Sequence, residues 1–203
     1  MKLSKRQNAI IVGSILGDAY VQATGKKNAR LRYEHGGKQK SYLFWKVKEL
    51  KRLFNGVPRY LERKHHISKE TYSYWRHQSI SNELLGQWRK FFYPNGIKRI
   101  PKTLAKVLTE PVALAVWYMD DGYYYPKENS SYLYLGRTSQ VEAKRAQSAL
   151  KKNFDLSPVS VDKKRKGFAL YFSPKQTEKL HKIVSPHMLP MFAYKLRRTS
   201  LTP

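Results

Sequence analysis

Two aspartates stand in matching surroundings 103 positions apart, about half the length of the 203-residue chain: Asp18 and Asp121. Each closes an apolar run. Ile10, Ile11, Val12, Ile15 and Leu16 lead to Gly17-Asp18, and Val112, Leu114, Ala115, Val116 and Trp117 lead to Asp120-Asp121-Gly122. A lone aspartate at a helix end often does no more than end the helix. The same residue in the same context twice points to a shared task. A carboxylate at a helix C-terminus is opposed by the macrodipole, and two carboxylates brought together oppose each other. A divalent cation relieves both penalties, and such a cation also takes phosphate oxygens and water as ligands. The chemistry to expect is metal-dependent phosphodiester hydrolysis. A second pair keeps step with the first: Lys98 follows Asp18 by 80 residues and Lys195 follows Asp121 by 74. Asp120 reads as a structural neighbour of Asp121.

The elements that must position these residues also occur twice. Each apolar run reads as a buried helix, with Ser4 placed to cap the first and Pro111 suited to the first turn of the second. Gly13 and Gly17 in the first helix, and Ala115 in the second, are small enough to let two helix backbones approach as a seam. Alternation predicts hairpins from 19–23 with 30–35 and from 123–125 with 132–138, then helices over 40–53 and 141–154. Second hairpins follow, 59–64 with 72–78 and 159–163 with 168–172, and helices over 82–92 and 174–184 close each half. The class is α+β. The chain divides into a first half, 1–105, and a second, 106–203.

Charge narrows the partner. There are 40 Lys+Arg against 14 Asp+Glu, a net charge of +26, and both halves share it. Self-repulsion on this scale is relieved by a polyanion, and nucleic acid fits because phosphate contacts release counterions. No segment has the roughly 18 consecutive apolar residues of a membrane span, and no N-terminal signal peptide is evident, so a membrane partner is not expected. The absence of cysteine excludes disulfides and thiolate zinc sites. The location expected is intracellular, in an organelle (mitochondrion or chloroplast) or a prokaryotic cytoplasm.

The runs Ile11-Val-Gly-Ser-Ile-Leu-Gly-Asp18-Ala and Leu114-Ala-Val-Trp-Tyr-Met-Asp-Asp121-Gly resemble the two copies of the motif that names the LAGLIDADG homing endonucleases, in the double-motif form found in introns. The first copy departs from the pattern at Leu16 and Ala19. The resemblance implies two pseudo-symmetric αββαββα halves that form a DNA-binding saddle, with one sheet of each half along the major groove. It implies a monomer that cuts both strands of a long, asymmetric double-stranded DNA site and leaves staggered ends. Mg²⁺ is the implied cofactor, with Mn²⁺ as a substitute. Asp18 and Asp121 would be catalytic and hold the metal, and Lys98 and Lys195 would assist at the same centre, offsetting charge on the phosphate.

The strands should carry the reading surface. Alternation puts Arg30, Arg32 and Glu34 on one face of their strand, with Leu31 and Tyr33 on the other. Phe168, Leu170 and Phe172 turn inward while Tyr171 turns out. Arg30, Arg32, Arg59, Arg63, Arg76 and Arg137 can pair with guanine or grip phosphate, and Lys164 sits in a basic turn. His35 and the pair His65-His66 lack metal-ligand spacing and are expected at the surface or against DNA. An alternative function is an RNA-binding maturase on the same scaffold, with intron RNA as partner. Retention of both aspartates argues for cleavage.

Overall fold

The computed structural model describes residues 2–64, 67 and 69–197; His65 and His66 lie outside them. Its elements are α1 (Lys5–Leu16), β1 (Tyr20–Ala23), β2 (Ala29–Gly36), α2 (Lys40–Glu49), β3 (Arg59–Lys64), β4 (Thr71–Gln78), α3 (Glu83–Phe92), α4 (Pro111–Asp121), β5 (Gly122–Tyr125), β6 (Ser130–Gly136), α5 (Gln140–Phe154), β7 (Val159–Asp162), β8 (Phe168–Phe172) and α6 (Pro174–Val184). The order helix, hairpin, helix, hairpin, helix occurs twice. Two antiparallel sheets result, ordered β1-β2-β4-β3 and β5-β6-β8-β7, so the duplication extends to strand pairing.

Local chemistry explains the boundaries. Ser4 and Gln7 form a capping box at α1, and Ser139 and Glu142 another at α5. Pro111 opens α4 where its missing N–H costs nothing. Asp155 ends α5 in the left-handed conformation, φ 51°. The helix expected over 40–53 is shorter, because the chain tightens after Glu49: Leu53 N–H bonds to Leu50 O at 2.7 Å. Leu53 O in turn accepts Ile80 N–H at 2.8 Å, so the last predicted turn of helix is used to tie down the end of β4.

By compactness the chain forms two units, one of Asp18–Pro94 and one of Leu3–Gly17 with the residues from Asn95 onward. The sequence repeat and the compact units therefore divide the chain along different lines, since α1 groups with the second unit. In the first unit, Val21, Leu31 and Tyr33 on the inner face of the sheet are buried, as are Leu43 of α2 and Leu85 and Phe92 of α3. In the second, Leu133, Leu170 and Phe172 line the inner face, and α5 and α6 bury Leu150, Leu180 and Val184.

Within the second unit, α1 packs on α4. Both are buried nearly all round, from Ala9 to Leu16 and from Val112 to Met119. A Cβ at Gly13 would fall on the carbonyl oxygen of Ala113 and lie 2.9 Å from Val116 Cβ. Ala113 and Val116 are thus the residues that Gly13 meets, while Ala115 is simply buried. Gly13→Ala would gain about 1 kcal/mol of helix propensity but force the helices apart, and overpacking costs about 1–3 kcal/mol. The expected result is a net loss of stability in urea denaturation, larger for Gly13→Val. An unchanged or raised midpoint for both variants would contradict the close approach.

Candidate active site

The ends of α1 and α4 set the site. Gly17 caps α1, donating its N–H to Gly13 O at 3.0 Å, and Asp18 is the next residue. A Cβ at Gly17 would lie 2.6 Å from Asp120 Cβ, so the absent side chain leaves room for that carboxylate. α4 runs through Asp120 to Asp121 and is capped by Gly122, whose N–H goes to Tyr118 O. No basic residue lies in the last turn of either helix. Asp18 is exposed at the start of the first unit, and Asp120 and Asp121 are half-buried in the second.

The two lysines take equivalent places. Lys98 Nζ donates to Gly17 O at 2.5 Å, the carbonyl just before Asp18. Lys195 Nζ donates to Met119 O at 2.6 Å and lies 3.4 Å from Asp120 O, the carbonyl just before Asp121. Each cation therefore meets carbonyls at the negative end of a motif helix, an interaction of about 0.3–1 kcal/mol at the surface and up to ~2 when partly buried. Lys98 is exposed and Lys195 is buried.

Buried polar groups that the sequence reading missed hold both lysine segments. Beside Lys98, Glu142 accepts Ile100 N–H at 2.9 Å and pairs with Arg99 at 3.4 Å, while Arg145 donates to Ile100 O at 2.9 Å. Burial opposes the Glu142 charge. The N–H groups of Ser139 and Ile100, the Ser139 hydroxyl and Arg99 outweigh it and hold the carboxyl below its ordinary value. Beside Lys195, Tyr118 donates its hydroxyl proton to Lys195 O at 3.0 Å and lies 3.2 Å from Ser131 Oγ and from His181 Nε2. Arg197 N–H donates to His181 Nδ1 at 3.0 Å, so the neutral ring carries its proton on Nε2. Burial, with Arg197 nearby, pushes His181 down to about 4. Burial also pushes the Tyr118 phenol far above its ordinary value.

In the first unit, Asp18 and His35 bring potential ligand atoms within 4.8 Å of each other. His35 is not at the surface as expected: it is 3% exposed. Lys46, fully buried, places Nζ 3.3 Å from His35 Nε2 and packs over the rings of Tyr42 and Tyr33 at 4.2 and 5.0 Å. His35 and Asp18 are thus both potential ligands of a metal ion, and the hard oxygen donors of the aspartates fit a divalent cation.

The strand arginines separate into two groups. Arg30, Arg32, Arg59, Arg63 and Arg76 share the outer face of the first sheet by register. Arg32 and Arg76 both donate to Glu34 Oε1, the latter at 2.6 Å, and Arg30 donates to Gln78 at 3.1 Å. Arg137 and Lys164 lie off the strands of the second sheet, both exposed, Arg137 after the irregularity at Gly136 and Lys164 in a turn where its N–H bonds to Asp162 at 2.7 Å.

Comparison with known proteins gives the class. Residues 8–180 match the model of the LAGLIDADG DNA endonuclease family, and the chain belongs to that family. It is therefore a hydrolase of the homing-endonuclease type, and enzymes of this family use divalent metal ions. It is 28% identical over 200 residues to a probable intron-encoded endonuclease 1 of Wickerhamomyces canadensis, covering 96% of this chain and 85% of the relative. It is also 28% identical over 198 residues to the cytochrome b mRNA maturase bI2 of Saccharomyces cerevisiae, covering 93% of this chain and 46% of the maturase. Among solved structures it resembles the homing endonuclease I-WcaI bound to its DNA recognition sequence, with a TM-score of 0.88 and 27% identity, covering 97% of this chain and 88% of the other.

The pKa directions make a testable statement. The carboxyl of Glu142 is depressed in the folded chain, so its stabilisation is present above the ordinary glutamate value and is lost as pH falls through the folded value. Glu142→Gln should cost about 1–3 kcal/mol at neutral pH, since it weakens charge-assisted hydrogen bonds. The gap to the wild type should begin to narrow as the pH falls below the ordinary glutamate value, about 4.3, and close as it passes the folded value. A gap that stays constant throughout the acid titration would show that the charge does not matter.

Proposed function

We propose that the chain is a site-specific endonuclease acting as a monomer on a long, asymmetric double-stranded DNA target, with Asp18 and Asp121 each serving one strand and leaving staggered ends. The observation that most supports this is the matched placement of Lys98 and Lys195 on the carbonyls that precede Asp18 and Asp121. The same chemistry is built twice, as two scissile phosphates require. The duplicated halves would be 1–105 and 106–203.

Asp18 and Asp121 would hold the metal, Mg²⁺ by this reading with Mn²⁺ able to replace it. When bound, such a cation lowers the pKa of a coordinated water and neutralises phosphate charge. Asp18 and Asp121 supply the anionic oxygens. Lys98 and Lys195 keep positive charge beside the phosphates, where negative charge grows during hydrolysis. Glu142 and Arg145 fix the segment that carries Lys98, and Tyr118 and His181 fix that of Lys195. Water is the nucleophile, and no serine or tyrosine is assigned a covalent role. The net charge of +26 and the arginine face of the first sheet would grip and read the duplex. Intron RNA is a second partner by likeness to the maturase, and a gene carried within an intron, in an organelle or a prokaryotic cell, suits this reading.

Asp121→Asn and Asp18→Asn should each reduce double-strand cutting at least 1000-fold while leaving binding of target DNA in Ca²⁺ within about threefold, measured by gel shift. Loss of binding together with cutting would assign the aspartates a structural role. Binding by the wild type should fall about 10³- to 10⁵-fold between 50 and 200 mM salt if 6–10 phosphates are contacted. A flat salt dependence would contradict the polyanion reading.

A further inference from the structure

The outer faces of the two sheets differ in kind. The first carries five arginines among Tyr20, Tyr72 and Tyr74, with Glu34 and Gln78 holding three of the arginines in place; what sets the second apart is its lack of arginine. The four strands of the second sheet contain no lysine, arginine or glutamate, and Asp162 is their one charged residue. Their outer face is a tyrosine layer. Tyr123, Tyr132 and Tyr171 pair directly across β5, β6 and β8, and Tyr125 and Tyr134 lie beside them. The rings pack on one another. Tyr123 and Tyr125 meet edge to face at 4.5 Å and 60°, as do Tyr125 and Tyr132 at 5.3 Å and 73°, while Tyr132 and Tyr171 are tilted at 5.1 Å and 53° and Tyr132 and Tyr134 stack at 6.1 Å and 23°. Burial, with a hydrogen bond to Tyr125 and the neighbouring tyrosines, pushes the Tyr134 phenol up to about 12. One cation lies on the layer itself, Lys163 Nζ being over the Tyr132 ring at 4.2 Å, and the turn that follows, Lys164-Arg165-Lys166, supplies a basic rim.

We propose that the sheets read their two half-sites by different chemistry, the arginines of the first recognising guanine and the tyrosine layer of the second recognising the methyl groups of thymine. This rests on the reading of the chain as an endonuclease whose sheets lie along the major groove. A guanidinium matches guanine O6 and N7 with two hydrogen bonds, whereas a phenol offers one hydroxyl and cannot. Ring edges instead offer apolar surface, and the thymine C5-methyl is the apolar feature of the major groove. The basic rim suits phosphates on either side of such a floor. Rings packed against one another present edges and hydroxyls rather than open faces. That favours a paired duplex over single-stranded RNA, which stacks its unpaired bases on aromatic faces.

The test selects cleavable sites for the wild-type chain from a randomised DNA library, then measures binding in Ca²⁺ to the recovered site with modified bases. Arg59→Ala and Tyr132→Ala identify the half read by each sheet, since each should relax base preference in one half only. Replacing thymine by deoxyuridine in the tyrosine half removes only the methyl, and should weaken binding about threefold to fivefold per position. Tyr132→Phe, which keeps the ring, should retain that sensitivity. Replacing guanine by 7-deazaguanine in the other half should weaken binding at least fivefold per contacted base. Guanine preference in the tyrosine half, or indifference to deoxyuridine there, overturns this inference while leaving the endonuclease intact. Recovery of no DNA site, with tight binding of single-stranded RNA instead, overturns both.

Discussion

The carbonyl of Ala113 occupies the place where a side chain of Gly13 would be, and much else follows from that contact. Helices with ordinary side chains pack with axes 8–10 Å apart. A glycine at the crossing brings the backbones closer, and Gly17, the cap one turn later, leaves room for the Asp120 side chain. The cost of Gly13 inside the helix is about 1 kcal/mol relative to alanine. The burial of Ile10, Ile11, Ile15, Leu114, Val116 and Trp117 offsets it. What the packing secures is the ends of the two helices, the Gly17 cap of α1 that precedes Asp18 and the last turn of α4 that ends in Asp121.

A helix C-terminus is a poor place for a carboxylate, and the chain answers with a lysine at each end. Lys98 and Lys195 come from segments far along the sequence and settle on the carbonyls that the helices leave unbonded. Lys98 lies outside helix and strand, and Lys195 ends the short 3-10 helix Pro190–Lys195. Lys98 depends on Glu142 and Arg145 of α5, and Lys195 on Tyr118 and His181. The same logic is thus carried out with different residues in the two places, as expected of a duplication whose halves have diverged. The first unit adds a buried lysine and histidine near Asp18, at Lys46 and His35. Divergence is widest on the sheet faces, where arginines among tyrosines on one and tyrosines without arginine on the other cover the same strand order.

Much of this was legible in the sequence. The element order, the limits of β3, β8 and α6, the cap at Ser4 and the inward face of β8 follow from periodicity and turn chemistry. The helix pair was legible as an apolar, glycine-containing seam, but the partner of Gly13 was not. Which turn of α4 it meets depends on crossing geometry, which the spacing of small residues leaves open. His35 was misplaced at the surface although alternation contained the answer: Leu31 and Tyr33 were set on the face opposite the arginines, and His35 continues that parity. Its polarity outweighed its position, and its interior neighbour, Lys46, lies 11 residues on. Glu142 and His181 were missed because each looks local, one as a cap and one as a polar residue on a helix. Their importance lies in bonds to Ile100, 42 residues away, and to Tyr118, 63 away.

The central claim is that Asp18 and Asp121 hold the divalent cations of the reaction. Titration of Mn²⁺ into the complex with target DNA, followed by electron paramagnetic resonance, tests it without reference to cutting. Wild-type chain should bind Mn²⁺ tightly, and Asp18→Asn and Asp121→Asn should each lose bound Mn²⁺ while still holding the DNA. Undiminished Mn²⁺ binding in both variants would contradict the account and place the metal on other residues.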